Sequence, residues 1–368
     1  MHRFDLIRDM GHEQVVLCND SNVSLRAIIA IHNTHLGPAL GGSRMWTYES
    51  EDAALVDALR LSKGMTYKAA VSGLNLGGGK TVILGDPEKD KSEGLFRALG
   101  RFIEGLNGRY ITAEDVGTCV DDMEYVFMET SHVVGVAESH GGSGDPSPFT
   151  AYGTFRGIEA CVERRLPGRK LKDLTLSIQG LGHVGANLAH RLAEAGATLY
   201  VTDINEERCR EAVSGLQKVT VVKPDEIYGI ACDVFSPCAL GAVLNPQTVE
   251  ALQCSIVAGA ANNQLETLEM AEVLRKRNIL YAPDYAINAG GLMNVFLELE
   301  SYSKERATRM VSKIYNTIHT ICDIAEREGL STARAADLMA ERRLETVGRL
   351  KRSYLKRAPG RPRIRMPS

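Results

Sequence analysis

No uninterrupted apolar run in these 368 residues approaches the length of about 20 needed to cross a membrane. The N-terminus also lacks the basic stretch and apolar segment of a secretory leader, so a soluble, cytoplasmic protein is expected. The eight cysteines (18, 119, 161, 209, 232, 238, 254 and 322) form no C-x-x-C pair. A chain this long needs no disulfide staples, and reduced core thiols are expected. The nine histidines show no ligand spacing and no H-E-x-x-H occurs, so no metal site is expected. Excess charge of one sign is missing too: a net charge of −3 gives no general attraction to nucleic acid or anionic lipid. The local exception follows Glu345, where GRLKRSYLKRAPGRPRIRMPS carries eight Lys or Arg and no acid. Its GRP triplet resembles the minor-groove core of an AT-hook peptide, but one short basic tail reads more simply as a solvated end at an oligomer surface. Nucleic acid is not an expected partner.

What is present is ordinary globular material, 44% apolar and 24% charged, in a length that favours two domains. The first part mixes two predicted strands, EQVVLCND and LRAIIAIHN, with helices near 51–72 and 92–107. ESHGGSGDPSPFTAYG then concentrates Gly, Ser and Pro as a domain crossing would. Beyond it, LTLSIQ, GLGHVGANLAHRLAEAGA and TLYVTD read as strand, helix, strand. The further apolar segments KVTVV, CDVFSP, CSIVAGA and ILYAPDY suit a doubly wound parallel sheet. The expected class is α/β with two domains: residues 1–142 for substrate and oligomer contacts, and a Rossmann-like nucleotide domain over 143–330. Residues 331–368 form a C-terminal helix and tail, with the helices from about 330 free to brace the first domain.

The segment GLNLGGGKT ends like a phosphate-binding P-loop, but the first glycine that loop requires is replaced by Leu74, and no strand leads directly into it. A better nucleotide signature is Gly180-Leu181-Gly182-His183-Val184-Gly185, followed by Ala186, which matches G-x-G-x-x-G between a predicted strand and helix. Gly180 permits the tight turn, Gly182 lets backbone approach a diphosphate, and Gly185 allows close helix–strand packing. The helix N-terminus then favours the anion. Asp203 ends the next strand, suited to the adenosine ribose hydroxyls and repulsive to a 2′-phosphate; no arginine follows it in VTDIN. NAD rather than NADP is expected.

A nucleotide fold supplies no substrate chemistry, so the reacting groups must come from the other domain. Its candidates are Lys63, Lys68, Lys80 and Asp115. Lys68 and Lys80 sit among small and apolar residues, where desolvation lowers an ammonium pKa towards that of a general base. Glycines such as Gly77 and Gly78 would let substrate atoms come close. A buried structural pair remains the competing explanation.

LGPALGGSRMWTY, LSKGMTYKAAVSGLNLGGGKTVI, LNGRYITAEDVGT, GLGHVG, AGAANNQL and APDYAINAGG together resemble the Glu/Leu/Phe/Val amino-acid dehydrogenase superfamily, most closely its leucine-type members. The resemblance runs from MGHEQV to about residue 345. It implies NAD-dependent, reversible oxidative deamination of a branched-chain L-amino acid to a 2-oxo acid and ammonia, in a homo-oligomer, most simply an octamer. It implies that Lys80 is the catalytic lysine, Lys68 holds the substrate α-carboxylate and Asp115 transfers protons. Asn262 lies near nicotinamide and substrate, and Thr150 joins the cofactor contacts. Hydride would pass from the α-carbon to the nicotinamide, water activated by Lys80 would attack the iminium, and the carbinolamine would collapse with Asp115 shuttling the proton.

The resemblance also places Leu40, Ala113, Leu292 and Val295 in the side-chain pocket. Glutamate-type members carry Lys and Ser where Leu40 and Val295 stand, and a second carboxylate would here be buried without a partner. Ala113 is leucine-type and Leu292 phenylalanine-type, and GGGK departs from the common GGAK. The alternatives are a phenylalanine dehydrogenase and a catalytically silent NAD-binding protein.

Overall fold

The structure, a computed structural model, describes residues 2–350 except Leu240. The basic tail from 351 onward, including its GRP triplet, lies outside the described residues. Two compact units form: Met1–Asp145 with Val295–Ser303 and the segment from Ala340, and Pro146–Asn294 with Lys304–Met339.

The first unit opens with α1 (Arg3–Met10), β1 (Gln14–Asp20) and β2 (Leu25–Asn33), close to where alternating apolar residues placed the strands. β3 (Ala39–Leu40), β4 (Ser43–Trp46), α2 (Glu51–Val71), β5 (Gly77–Leu84), α3 (Glu93–Glu104), β6 (Tyr110–Ile111) and α4 (Val120–Phe127) follow. The sheet runs β1-β2-β5-β3-β6, with β4 also paired to β5. β1, β2 and β5 are antiparallel neighbours, whereas β3 and β4 lie parallel to β5. β2 is apolar nearly throughout because both its faces are covered. Ala27, Ile29 and Ile31 pack with Leu95, Phe96, Leu99 and Met123 of α3 and α4, while Ile28 and Ala30 pack with Ala54, Leu55, Ala58 and Leu59 of α2. Helix starts are specified locally: Ser50 and Ser92 accept the N–H groups of Ala53 and Leu95 at 3.1 and 3.2 Å.

The second unit contains α5 (Ser147–Arg165), β7 (Thr175–Gln179), α6 (His183–Glu194), β8 (Thr198–Thr202), α7 (Glu206–Ala212), β9 (Val219–Val221), β10 (Val234–Pro237), α8 (Pro246–Ala251), β11 (Ile256–Val257), α9 (Glu269–Lys276), β12 (Leu280–Tyr281) and α10 (Asp284–Ile287). Its strands are all parallel, in the order β12-β11-β10-β7-β8-β9. This is the doubly wound arrangement, with the order reversing between β7 and β10.

The chain ends through α11 (Gly290–Phe296), α12 (Lys304–Val311), α13 (Ile314–Glu328) and α14 (Thr332–Leu350). Between Lys304 and Leu350 the chain forms three helices, α13 stopping at Gly329 in a left-handed cap (φ 68°). The units also segment the chain differently from the expected 143–330 and 331–368. Residues 295–303 join the first unit, where Glu298 accepts the Gly135 N–H at 2.9 Å and the Ser143 N–H at 2.9 Å. Within α14 the membership changes near Ala340. Thr332 bonds the Tyr281 carbonyl in the second unit, whereas Arg343 donates to Gly73, Leu74 and Asn75 in the first. Such long-range ties leave no trace in local composition. The cysteines are all free thiols, but Cys119 is exposed and only Cys18, Cys161, Cys209 and Cys322 are fully buried. No described helix is long and apolar enough to cross a membrane.

Candidate active site

β5 begins at Gly77, so GGGK lies inside a strand and is not a phosphate-binding loop. The three glycines make room chiefly for the protein itself, where the sequence had suggested room for substrate. A Cβ at Gly77 would lie 1.8 Å from the Asn33 oxygen, at Gly78 2.1 Å from the Thr66 nitrogen, and at Gly79 2.5 Å from the Tyr110 ring. Gly78 therefore faces α2. Strand alternation turns Lys80 the same way.

Lys80 is 5% exposed, and its Nζ donates to Asp115 Oδ2 at 2.6 Å. Asp115 reaches it because residues 111–116 run beside 41–45: Gly41, Ser43 and Met45 donate to Ile111, Ala113 and Val116. A tight turn then fixes the acid, its own N–H donating to Thr118 Oγ1 at 2.9 Å. Gly117 completes the turn at φ +80°, where a Cβ would lie 2.0 Å from the Met45 oxygen.

Burial pushes the Lys80 pKa down; Asp115 works against that, and nearby Arg44 adds to it. Burial would raise the Asp115 carboxyl, but the charges and hydrogen bonds of Lys80 and Arg44 outweigh it and hold it below its ordinary value. Arg44 was not singled out by the sequence, nor were its neighbours. Its Nε donates to Asp115 Oδ2 at 3.0 Å and its Nη1 to Asp57 Oδ2 at 3.2 Å, and Tyr48 Oη donates to Asp57 at 2.7 Å. A lone arginine in a four-residue strand carries no spacing signal; only its place beside paired glycines hinted at a role.

Other predicted residues of this unit fall as follows. Lys68 is half-buried in the last turn of α2, and Lys63 lies over the Tyr67 ring, 6.0 Å from its centroid. Leu40 and Val295 are buried and Ala113 half-buried. Leu292, buried in the second unit, lies three residues before Val295 in the same helix, α11. Among the described residues no group of three or more His, Cys, Asp or Glu could hold a metal ion.

In the second unit, Gly180 adopts φ +94° and packs against Ala239, while a Cβ at Gly185 would lie 2.0 Å from the Gly180 oxygen. A Cβ at Gly182 would meet nothing within 4 Å. Gly182 is also the N-cap of α6 and offers no side-chain acceptor, so the turn combines open space with an uncapped helix start carrying His183, Val184 and Ala186. These features fit a dinucleotide diphosphate.

Asp203 accepts the Leu181 N–H at 2.8 Å and the Asn205 N–H at 3.0 Å. It also accepts Arg208 Nη2 at 3.1 Å. Burial would raise its pKa, but these donors outweigh it and leave the carboxyl below its ordinary value. No arginine follows Asp203 in VTDIN, but Arg208, five residues on, reaches it from the first turn of α7. Asn288 Nδ2 donates to Asn262 Oδ1 at 2.7 Å and to the Ala260 carbonyl at 3.1 Å, fixing which end of the exposed Asn262 amide is the acceptor. Thr150 lies in the first turn of α5, beside Gly291, where a Cβ would come 2.7 Å from its hydroxyl.

Residues 12–132 match the Glu/Leu/Phe/Val dehydrogenase dimerisation domain, and residues 200–350 match the glutamate/leucine/phenylalanine/valine dehydrogenase domain. Leucine dehydrogenases from Bacillus cereus and Thermoactinomyces intermedius are each 52% identical, over 96% of this chain and 96% and 97% of theirs. The crystal structure of L-tryptophan dehydrogenase from Nostoc punctiforme superposes with a TM-score of 0.83 at 47% identity, covering 94% of this chain and 99% of that one. Likeness of this order along nearly the whole of each chain places the protein in the glutamate/leucine/phenylalanine/valine dehydrogenase family.

Proposed function

We propose that the protein oxidatively deaminates L-leucine, and with it valine and isoleucine, to the 2-oxo acid and ammonia, reversibly and with NAD. The observation that carries this reading is the Lys80–Asp115 pair, a buried ammonium held on a carboxylate at 2.6 Å beside glycine-lined backbone. The substrate class rests on the leucine dehydrogenases of about 50% identity.

Gly180, Gly182, Gly185 and the start of α6 would hold the NAD diphosphate and Asp203 the adenosine ribose, and NAD supplies the acceptor for the hydride leaving the α-carbon. Lys68, a cation at the end of α2, is assigned the substrate carboxylate. Lys80, its pKa lowered by burial, takes the proton from water as that water attacks the substrate iminium. Asp115 accepts the Lys80 proton and returns it to the departing amine. Asn262, oriented by Asn288, is placed at the nicotinamide end, and Thr150 beside the cofactor. Leu40, Ala113, Leu292 and Val295 are assigned to the side-chain pocket.

We place the enzyme in the cytoplasm as a homo-octamer. Two features of the first unit support self-association: its match to a dimerisation domain, and the edge strand β1, whose Leu17 is 65% exposed. An assay following NADH formation with each common amino acid tests the function. Leucine, valine and isoleucine should be oxidised fastest, and a protein reducing NAD with none of them refutes it.

A further inference from the structure

Lys80 and Arg44 donate to the same oxygen, Asp115 Oδ2, at 2.6 and 3.0 Å. One carboxylate oxygen with two cations presents an asymmetry. The ammonium can lose its proton, whereas a guanidinium does not. Were Lys80 the sole partner, its deprotonation would strand a mostly buried carboxylate, which costs several kcal/mol. With Arg44 in place Asp115 keeps an ion pair and a hydrogen bond whichever state Lys80 is in. The two like charges crowded on one oxygen are also relieved when Lys80 becomes neutral.

We infer that Arg44, braced by Asp57 and Tyr48, is a positioning residue that keeps Asp115 paired and in place whenever Lys80 is the neutral amine, and so lets Lys80 cycle between ammonium and amine. This rests on the proposed roles of Lys80 and Asp115. The brace is visible: Arg44 and Asp57 side chains are only 22% and 15% exposed, and Asp57 is held by Tyr48 Oη at 2.7 Å and by Arg60 at 3.2 Å. It spans β4, the segment after it and the second turn of α2, so it is assembled from residues distant from the reacting centre in sequence. The charged and titratable groups acting on the pair are Arg44 and Asp57 on Lys80, Glu114 and Tyr110 beside Asp115, and Asp145 beyond Glu114. Lys68 lies on α2, the helix packed on this face of β5. Of these, Arg44 is the cation bonded directly to Asp115 along with Lys80.

The test is the pH dependence of kcat/KM for leucine in the full-length enzyme, comparing wild type with Arg44→Gln and Arg44→Lys. Arg44→Gln removes a like charge from Lys80, so its acidic limb should move to higher pH by about one unit, a roughly tenfold loss at a fixed pH below the limb. Arg44→Lys restores the charge and should return the limb most of the way. NAD binding, followed by fluorescence, should be unchanged in both. Should Arg44→Gln fail to fold, Tyr48→Phe, which loosens only the Asp57 brace, should shift the limb in the same direction by a smaller step. A limb that stays in place in a folded variant of lowered activity overturns the inference. A wild-type enzyme without leucine oxidation would instead defeat the functional reading beneath it.

Discussion

The carboxylate of Asp203 accepts the backbone N–H of Leu181 at 2.8 Å, so the acid that ends β8 also ties down the glycine turn after β7. Its second oxygen meets Arg208 at 3.1 Å. Asp203→Ser should therefore do two things at once. It removes the charge opposing a 2′-phosphate and releases an arginine able to bind one, narrowing the NAD preference by at least about tenfold, about 1.4 kcal/mol. It also loosens the turn, so the melting temperature should fall. Adding Arg208→Ala should reverse most of the gain with NADP. Equal kcat/KM values for NAD and NADP in the wild type would defeat the assignment of Asp203.

Lys80→Ala should lower turnover by roughly 10²–10⁴-fold, the range of general-base catalysis, and leave NAD affinity within about twofold. Lys68→Ala should act mainly on KM for the amino acid, since it removes a charge opposite the carboxylate in ground and transition states alike. Steady-state kinetics paired with a cofactor titration separates the two. A Lys80→Ala enzyme retaining a tenth of the wild-type rate would remove Lys80 from the base role.

One methylene in an apolar pocket discriminates by only about 1–3 kcal/mol, so leucine, valine and isoleucine should lie within about a hundredfold of one another, with phenylalanine weak and glutamate inactive. Ala113→Gly opens space where Ala113 is only half-buried and should raise the phenylalanine-to-leucine ratio of kcat/KM. An unmoved ratio would place the pocket wall elsewhere.

His12 and His32 stack edge to face with centroids 4.8 Å apart under α2; His12 bonds Ser62 at 2.8 Å and His32 bonds Thr66 at 2.8 Å. Burial lowers their pKa values to about 4 and about 3. Both fall below the ordinary histidine value, so between about pH 6.5 and the folded values the unfolded chain binds more protons and stability drops as pH falls. The stability is fully present above about 6.5. Going from pH 7.5 to 5.5 should cost about 1 kcal/mol through the buried His32, and less through the half-open His12. Urea midpoints of wild type and His32→Gln at the two pH values check this: the variant's midpoint should depend less on pH.

The doubly wound unit was legible because its signals are local. LTLSIQ, GLGHVG and TLYVTD each announce strand, turn and helix within a few residues, and the strands formed at Thr175–Gln179 and Thr198–Thr202. Lys80 and Asp115 could be singled out by residue type, but their bond joins positions 35 apart and depends on the lacing of 111–116 along 41–45. Arg44, Arg208 and Asn288 were not legible. Each acts on a neighbour supplied by folding, and a single polar residue has no period to betray it. The GGGK departure was legible only as a missing methyl; the Tyr110 ring, 2.5 Å from where a Gly79 Cβ would sit, gives the reason.

The first unit is completed by residues more than two hundred positions further along the chain than its core strands. Ala340, Leu344 and Val347 close over Leu36, Tyr67 and Ala70, and Arg343 satisfies the carbonyls of Gly73 and Leu74. On the ribosome, the residues around Lys68 and Lys80 therefore emerge early and wait for more than half of the chain before this apolar cover exists. The other unit finishes at Met339 and so matures at nearly the same moment. Neither unit can therefore become native well ahead of the other, and the two should fold nearly together rather than one after the other.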